Sequence, residues 1–171
     1  PISRAGSCVG DEVWVTGRLG VSGGATHLWR HGEEPPEELR TAFTRPTPRL
    51  EEAVWLARRV PLHGLIDLSD GLAGDAAHLA AASEVALILT GDRIPIHPLL
   101  SSHPAFSKLQ GETRGPLRLA LEAGEDFELC LTVPVGSLDD WVGPFQDLFD
   151  VPLTRVGEVG EGSGVFLDGT E

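Results

Sequence analysis

Two carboxylates, a hydroxyl and a glycine set close together can hold a metal ion against a phosphate. Residues 65–72, Leu65-Ile66-Asp67-Leu68-Ser69-Asp70-Gly71-Leu72, place that set at the end of a short apolar run, and a helical pattern follows at once. The run is expected to be a buried strand that surfaces, turns and enters a helix. Its polar groups would then lie at the carboxyl end of the strand, where open α/β sheets place their ligands. Magnesium is a hard cation that takes one or two carboxylates together with phosphate oxygens and water. Asp67 and Asp70 can supply the carboxylates, Ser69 a donor to a phosphate oxygen, and Gly71 the tight turn. The first amides of the helix add a field that favours negative charge. The same Asp-x-x-Asp spacing also suits a plain helix cap with a solvated neighbour.

Glu125-Asp126 forms the second candidate. Two acids directly after Gly124 open the otherwise apolar stretch that runs to Val133. Strand interiors disfavour carboxylates, so the pair is expected at the mouth of a strand, accepting from an amine or facing a cationic ring. A solvated strand end would carry the same residues with no role. The histidines offer less. His27 and His31 can pinch a metal only with a third ligand, which the sequence does not show. Asp75 and His78, one helical turn apart, read as a local pair. No Ser-His-Asp or Cys-His arrangement stands out, and no covalent nucleophile is expected.

Charge narrows the ligands. The 171 residues carry a net charge of −13. Nucleic acid and anionic membrane both call for positive charge and are excluded as partners; an anionic ligand would need a bridging metal. With 41% hydrophobic and 23% charged residues the chain can build a core. It has no apolar run long enough to cross a bilayer and no signal peptide, so a cytoplasmic location is expected. Cys8 and Cys130 belong to no C-x-x-C pair, and Cys130 reads as a small buried hydrophobe in a reducing compartment. There is no methionine, even at position 1, so the chain is expected to be processed, cloned as a piece or cut from something longer.

The elements that must position these groups follow from periodicity. Glu12–Thr16 reads as a strand. The glycine-rich stretch from Gly17 to Gly24 is either a strand-to-helix turn or backbone that approaches a phosphate, and it feeds a helix over 25–30. A short helix is expected over 36–43. Arg45-Pro46-Thr47-Pro48-Arg49 is extended, because residues before proline avoid the helical region. In the next helix Leu50, Ala53, Val54, Ala57 and Val60 should face inward, with Glu51, Glu52, Arg58 and Arg59 wet. After the Asp67 turn, Leu72, Ala76, Leu79 and Ala80 form an apolar stripe. A buried strand follows over 85–89, then short helices over 96–101 and 104–110 and a helix over 116–123. A strand should start at Glu125, with Phe127, Leu129, Leu131 and Val133 sharing one face. A helix opens at Ser137, split by Gly143-Pro144, its buried stripe including Leu138, Phe145 and Leu148. Residues 153–159 and 164–167 look like a terminal hairpin. The alternation predicts one α/β (α+β) sandwich, a mixed sheet covered by helices.

Together the motifs are more specific than any alone. Gly10-Asp11 with Val15-Thr16-Gly17-Arg18-Leu19-Gly20, then Arg45-Pro46-Thr47-Pro48-Arg49, then Asp67-Leu68-Ser69-Asp70-Gly71-Leu72, then Gly124-Glu125-Asp126-Phe127-Glu128-Leu129 resemble, in order and spacing, the thiamine-monophosphate kinases. Their superfamily includes aminoimidazole ribonucleotide synthetase, selenophosphate synthetase and a hydrogenase maturation protein. The resemblance implies transfer of a phosphoryl group from ATP to thiamine monophosphate with Mg²⁺. It implies Asp67 and Asp70 as metal ligands, Ser69 as an ATP contact and Glu125 as a substrate contact. The family's amino-terminal half, with its own aspartate-rich metal site, and its closing aromatic segment are absent here. Residues 1–10 are therefore expected to be a lead-in from a missing amino-terminal domain, and 11–171 the carboxy-terminal domain. Such a piece should have negligible activity alone, since two carboxylates cannot hold several metals. The surface that faced its missing half should be partly apolar, and pairing with a second copy stays open. The alternatives are a selenophosphate-synthetase-like enzyme and a non-catalytic acidic binding domain.

Overall fold

Alternation sorts side chains onto the two faces of a sheet. Along β1 (Glu12–Thr16), Val13 and Val15 join one apolar cluster and Trp14 the other, so this strand is covered on both sides. The computed structural model describes residues 2–106 and 115–168. After β1 come α1 (Val21–Arg30), α2 (Glu37–Thr44), α3 (Leu50–Ala57), β2 (Gly64–Asp67), α4 (Leu72–Ser83) and β3 (Ala86–Thr90). Then follow α5 (Pro98–Ser102), α6 (Gly115–Glu122), β4 (Leu129–Val133), α7 (Val142–Phe149), β5 (Leu153–Gly160) and β6 (Gly164–Asp168).

The strands form one sheet in the order β2-β4-β1-β5-β3-β6. All neighbours are antiparallel except β3 and β6. On one face Leu72, Ala76, Leu79 and Ala80 of α4 and Leu117 and Ala120 of α6 pack on Val13, Val15, Leu87, Leu89, Cys130 and Val156. On the other, Leu56 of α3 and Phe145 of α7 pack on Trp14, Leu129, Leu131, Val133 and Leu153. A third cluster of Ala25, Leu28, Leu39, Leu100 and Phe106 ties α1, α2 and α5 together at one end. The mixed sheet, covered by helices on both faces, is the expected sandwich.

Several local expectations are corrected. Residues 153–168 are not a hairpin, because β3 lies between β5 and β6 and pairs with both. The strand expected at Glu125 begins only at Leu129; Glu125 and Phe127 have φ of 58° and 50°, which no strand accommodates. The helix expected over 25–30 starts at Val21. In α3 the inward residues are Glu52 and Leu56, while Leu50 and Val54 are exposed; a buried ion pair described below draws Glu52 in. Helix α7 starts at Val142, so Pro144 falls in its first turn, where a missing N–H costs nothing, and no kink results. Leu138 is buried ahead of that helix and Leu148 is exposed. Strand β2 is an edge strand, half-buried rather than buried. Its Leu65 N–H donates to Ser3 O at 3.1 Å. Residues 104–106 form a 3₁₀ turn, and the rest of the helix expected over 104–110 lies outside the described residues.

Candidate functional site

β2 ends at Asp67, opposite Leu129, where β4 begins. Beyond this last pair the two loops continue side by side. Leu68 N–H donates to Glu128 O at 2.8 Å, Phe127 N–H to Leu68 O at 2.9 Å, and Glu125 N–H to Ser69 O at 2.9 Å. This backbone ladder brings the two acidic motifs, more than fifty residues apart in the sequence, to one end of the sheet. Gly124 permits it: at φ +69° an added Cβ would lie 2.5 Å from Ser69 O. Gly71 does the same on the other side, with φ +92° and a would-be Cβ 2.7 Å from Leu121 O.

The side chains then divide by role. Asp67 and Asp70 are exposed, Ser69 is half-buried and Glu125 is exposed. Behind them Asp75, 2% exposed, accepts the Asp70 N–H on Oδ2 at 2.9 Å and so fixes the turn. Burial raises the Asp75 carboxyl above its usual range, the charges of Asp70 and Asp67 add to the rise, and the backbone donors of Asp70 and Ser69 oppose it. Asp70, Asp75 and His78 have ligand atoms all within 4.8 Å of one another. Asp67 is outside that group, and lines a hollow of 370 Å³ with Arg49, Leu50, Phe127 and Leu129. Asp70 and Glu125 do not line this hollow. The loops therefore converge, with Asp70 grouped with Asp75 and His78, Asp67 lining the hollow, and both Asp67 and Asp70 close enough to act on Asp75. His27 and His31 are not part of either metal-type cluster among the described residues.

Two acids of the second motif have structural work that the sequence did not disclose. Asp126 reaches back to α1, its Oδ2 accepting the Gly20 N–H at 2.7 Å and Oδ1 the Ser22 N–H at 3.2 Å. The Ser22 hydroxyl donates to Glu125 O at 2.6 Å. The Gly20 and Ser22 amides are thus met from within the chain, and the stretch is a strand-to-helix turn with a remote cap. Burial pushes the Asp126 carboxyl up to about 6, although the Gly20 and Ser22 amides pull the other way. Glu128, 5% exposed, takes a two-pronged bond from Arg49: Nε to Oε2 at 2.8 Å and Nη2 to Oε1 at 2.6 Å. Thr16 Oγ1 also donates to Oε2 at 2.7 Å and accepts the Leu129 N–H at 2.8 Å. Glu52 faces Arg49 from the other side at 3.3 Å. Burial alone would lower the Arg49 guanidinium, but the Glu128 pairing outweighs it and holds it above its ordinary value. A signal existed for Glu128: a charge inside an apolar stretch needs a partner, and Arg49 closes a proline-stiffened segment.

Comparison with known proteins shows what the chain as a whole is similar to. The curated thiamine-monophosphate kinase of Pyrococcus abyssi is 32% identical over 164 residues, covering 96% of this chain and 47% of the relative. A crystal structure of thiamine-monophosphate kinase from Stenotrophomonas maltophilia K279a is 34% identical with a TM-score of 0.84, covering 99% of this chain and 53% of that one. The structure described as AaThiL complexed with AMPPCP and TMP is 32% identical with a TM-score of 0.78, covering 99% and 51%. The chain spans about half the length of the curated relatives it matches. A family model described as AIR synthase related protein, C-terminal domain, matches residues 9–169. That match runs from the turn before β1 to the end of β6, and the chain belongs to this family of carboxy-terminal AIR synthase related domains.

Proposed function

We propose that this chain is the carboxy-terminal half of a thiamine-monophosphate kinase, which transfers the γ-phosphoryl group of ATP to thiamine monophosphate and gives ADP and thiamine diphosphate. Residues 1–10 are the lead-in from the amino-terminal domain and 11–171 the carboxy-terminal domain. One observation carries the reading: the Asp67–Gly71 turn is hydrogen-bonded to the Gly124–Glu125 loop in a chain whose whole length matches a relative holding AMPPCP and TMP. In this reading Ser69 contacts ATP and Glu125 contacts thiamine monophosphate.

The donor set at the turn suits Mg²⁺. It is rich in carboxylate oxygen, exposed, and next to the amino terminus of the twelve-residue α4. Asp67 and Asp70 would hold the ion, which when bound neutralises phosphate charge and orients the transferred group. Asp75 keeps the turn rigid. No covalent nucleophile is needed, because phosphoryl transfer rests on positioning and charge. The exposed apolar residues Leu50, Val54 and Leu148 border a 560 Å³ hollow with Trp55 and Phe149, a surface suited to the rest of the protein or a second copy.

The test is an ADP-release assay on the full-length protein with thiamine monophosphate, Mg²⁺ and ATP. Asp70→Asn should lower turnover on the order of a hundredfold or more. Glu125→Gln should raise KM for thiamine monophosphate and leave that for ATP. The present chain alone should turn over negligibly. Full activity in Asp70→Asn would refute the site, and normal turnover by the chain alone would refute the division of labour.

A further inference from the structure

At the other end of β2 stands a group of side chains that phosphoryl transfer does not use. His63 directly precedes the strand and Asp67 ends it, so about 13 Å of extended chain separates this group from the acidic turn. Cys8 and Asp11 close a turn in front of β1: Asp11 N–H donates to Cys8 O at 3.0 Å, and Cys8 N–H donates to Asp11 Oδ2 at 2.8 Å. His63 is anchored by its own N–H, which donates to Thr132 O at 2.9 Å. Its Nδ1 lies 2.8 Å from Asp11 Oδ2 and 3.1 Å from Oδ1.

We propose that Cys8, Asp11 and His63 form a second metal site, built for zinc or a similar borderline-soft divalent ion rather than magnesium. The thiol, carboxylate and imidazole have ligand atoms all within 4.8 Å of one another. Tetrahedral zinc with bonds of about 2.0–2.3 Å sets neighbouring ligand atoms about 3.3–3.8 Å apart. The hydrogen-bonded His63–Asp11 pair has only to open slightly to admit it. Sulfur, nitrogen and oxygen together are a zinc-type donor set, and magnesium has little use for the first two. Asp11 is 4% exposed, and among the described residues its side chain meets the Cys8 amide and the His63 ring. A buried carboxylate of this kind favours a cation beside it. Cys8 is exposed, which gives the ion a way in and leaves a fourth position to water. The sequence hid the site because its third ligand follows 52 residues after the second.

Titration of the chain with Co²⁺, read by absorption, tests this apart from any phosphotransferase activity. The expected result is a near-ultraviolet thiolate charge-transfer band with tetrahedral visible bands, saturating at one ion per chain. Zn²⁺ should displace it and millimolar Mg²⁺ should not. Cys8→Ser should abolish the charge-transfer band. His63→Ala should weaken Co²⁺ binding at least about tenfold. His63→Gln, which keeps a donor towards Asp11 but ligates poorly, should do the same if the alanine variant unfolds. Asp70→Asn should leave the titration unchanged. Absence of the band overturns the proposal. So does a band whose affinity survives both His63 substitutions, since Cys8 would then bind as an isolated thiol. A band lost in Asp70→Asn also overturns it, by moving the ion to the acidic turn.

Discussion

Replacing Glu128 by glutamine leaves the Arg49 guanidinium facing a neutral partner in a nearly closed space. The two side chains are 18% and 7% exposed, so water cannot restore the missing charge. An exposed pair of this type is worth about 0–1 kcal/mol. Removing one partner of a buried pair costs about 3–5 kcal/mol. Glu52 remains 3.3 Å from Arg49, which places the expected loss at the lower end, about 3 kcal/mol. Thr16 also competes with Arg49 for the one carbonyl oxygen that glutamine offers. At this chain length the loss corresponds to a fall in Tm of roughly 6–12 °C. Urea unfolding followed by tryptophan fluorescence measures it directly, four tryptophans being present. The double variant Arg49→Met with Glu128→Leu should regain most of the stability, because neither charge is then left stranded. A loss below about 1 kcal/mol in Glu128→Gln would mean the pair behaves as a surface pair and does not anchor the 45–49 segment.

Further outcomes follow from neighbouring groups. Asp126 ionises near 3.8 in the unfolded chain and at about 6 in the folded one, so the folded state holds the extra proton between these values. Its contribution is fully present below pH 3.8 and lost as pH rises through 6, and Asp126→Asn should gain about 3 kcal/mol on the parent between pH 3.5 and 7, read from denaturant unfolding at both pH values. Gly124→Ala should destabilise by at least about 1–2 kcal/mol from backbone strain alone. It should also weaken nucleotide-analogue binding by the full-length protein, measured calorimetrically, because the new methyl pushes on Ser69 O. Burial pushes the Cys130 thiol up to about 12; iodoacetamide on the folded protein should label Cys8 and spare Cys130, with mass spectrometry reading the difference.

Where a single physical cue dominates, the sequence was readable. Glu12–Thr16, the stripe on α4 and the run ending at Asp67 needed only periodicity and a glycine stop, and each stands where that cue put it. Errors arose where a distant residue decides local structure. Helix α1 starts at Val21 because Asp126, more than a hundred residues on, supplies its cap. Glu52 turns inward because Arg49 needs it, against the amphipathic pattern of α3. The pair at Glu125-Asp126 stands out in the sequence, but its members face different ways, one to solvent and one to α1, which no local pattern encodes. Nothing in 153–168 by itself says that β3 will slip between two strands that look like neighbours.

The strand at the middle of the sheet is made well before either of its two neighbours. β1 ends at Thr16, while the strands on its two sides begin at Leu129 and Leu153. A growing chain therefore carries Val13, Trp14 and Val15 without strand partners until more than a hundred further residues have been made. Pairing of this range is slow, and an open apolar strand is an invitation to stick to another nascent copy. Yield of soluble material should accordingly depend on production rate and temperature more than on the stability of the finished fold, and a holdase chaperone acting on the Glu12–Thr16 strand should raise it.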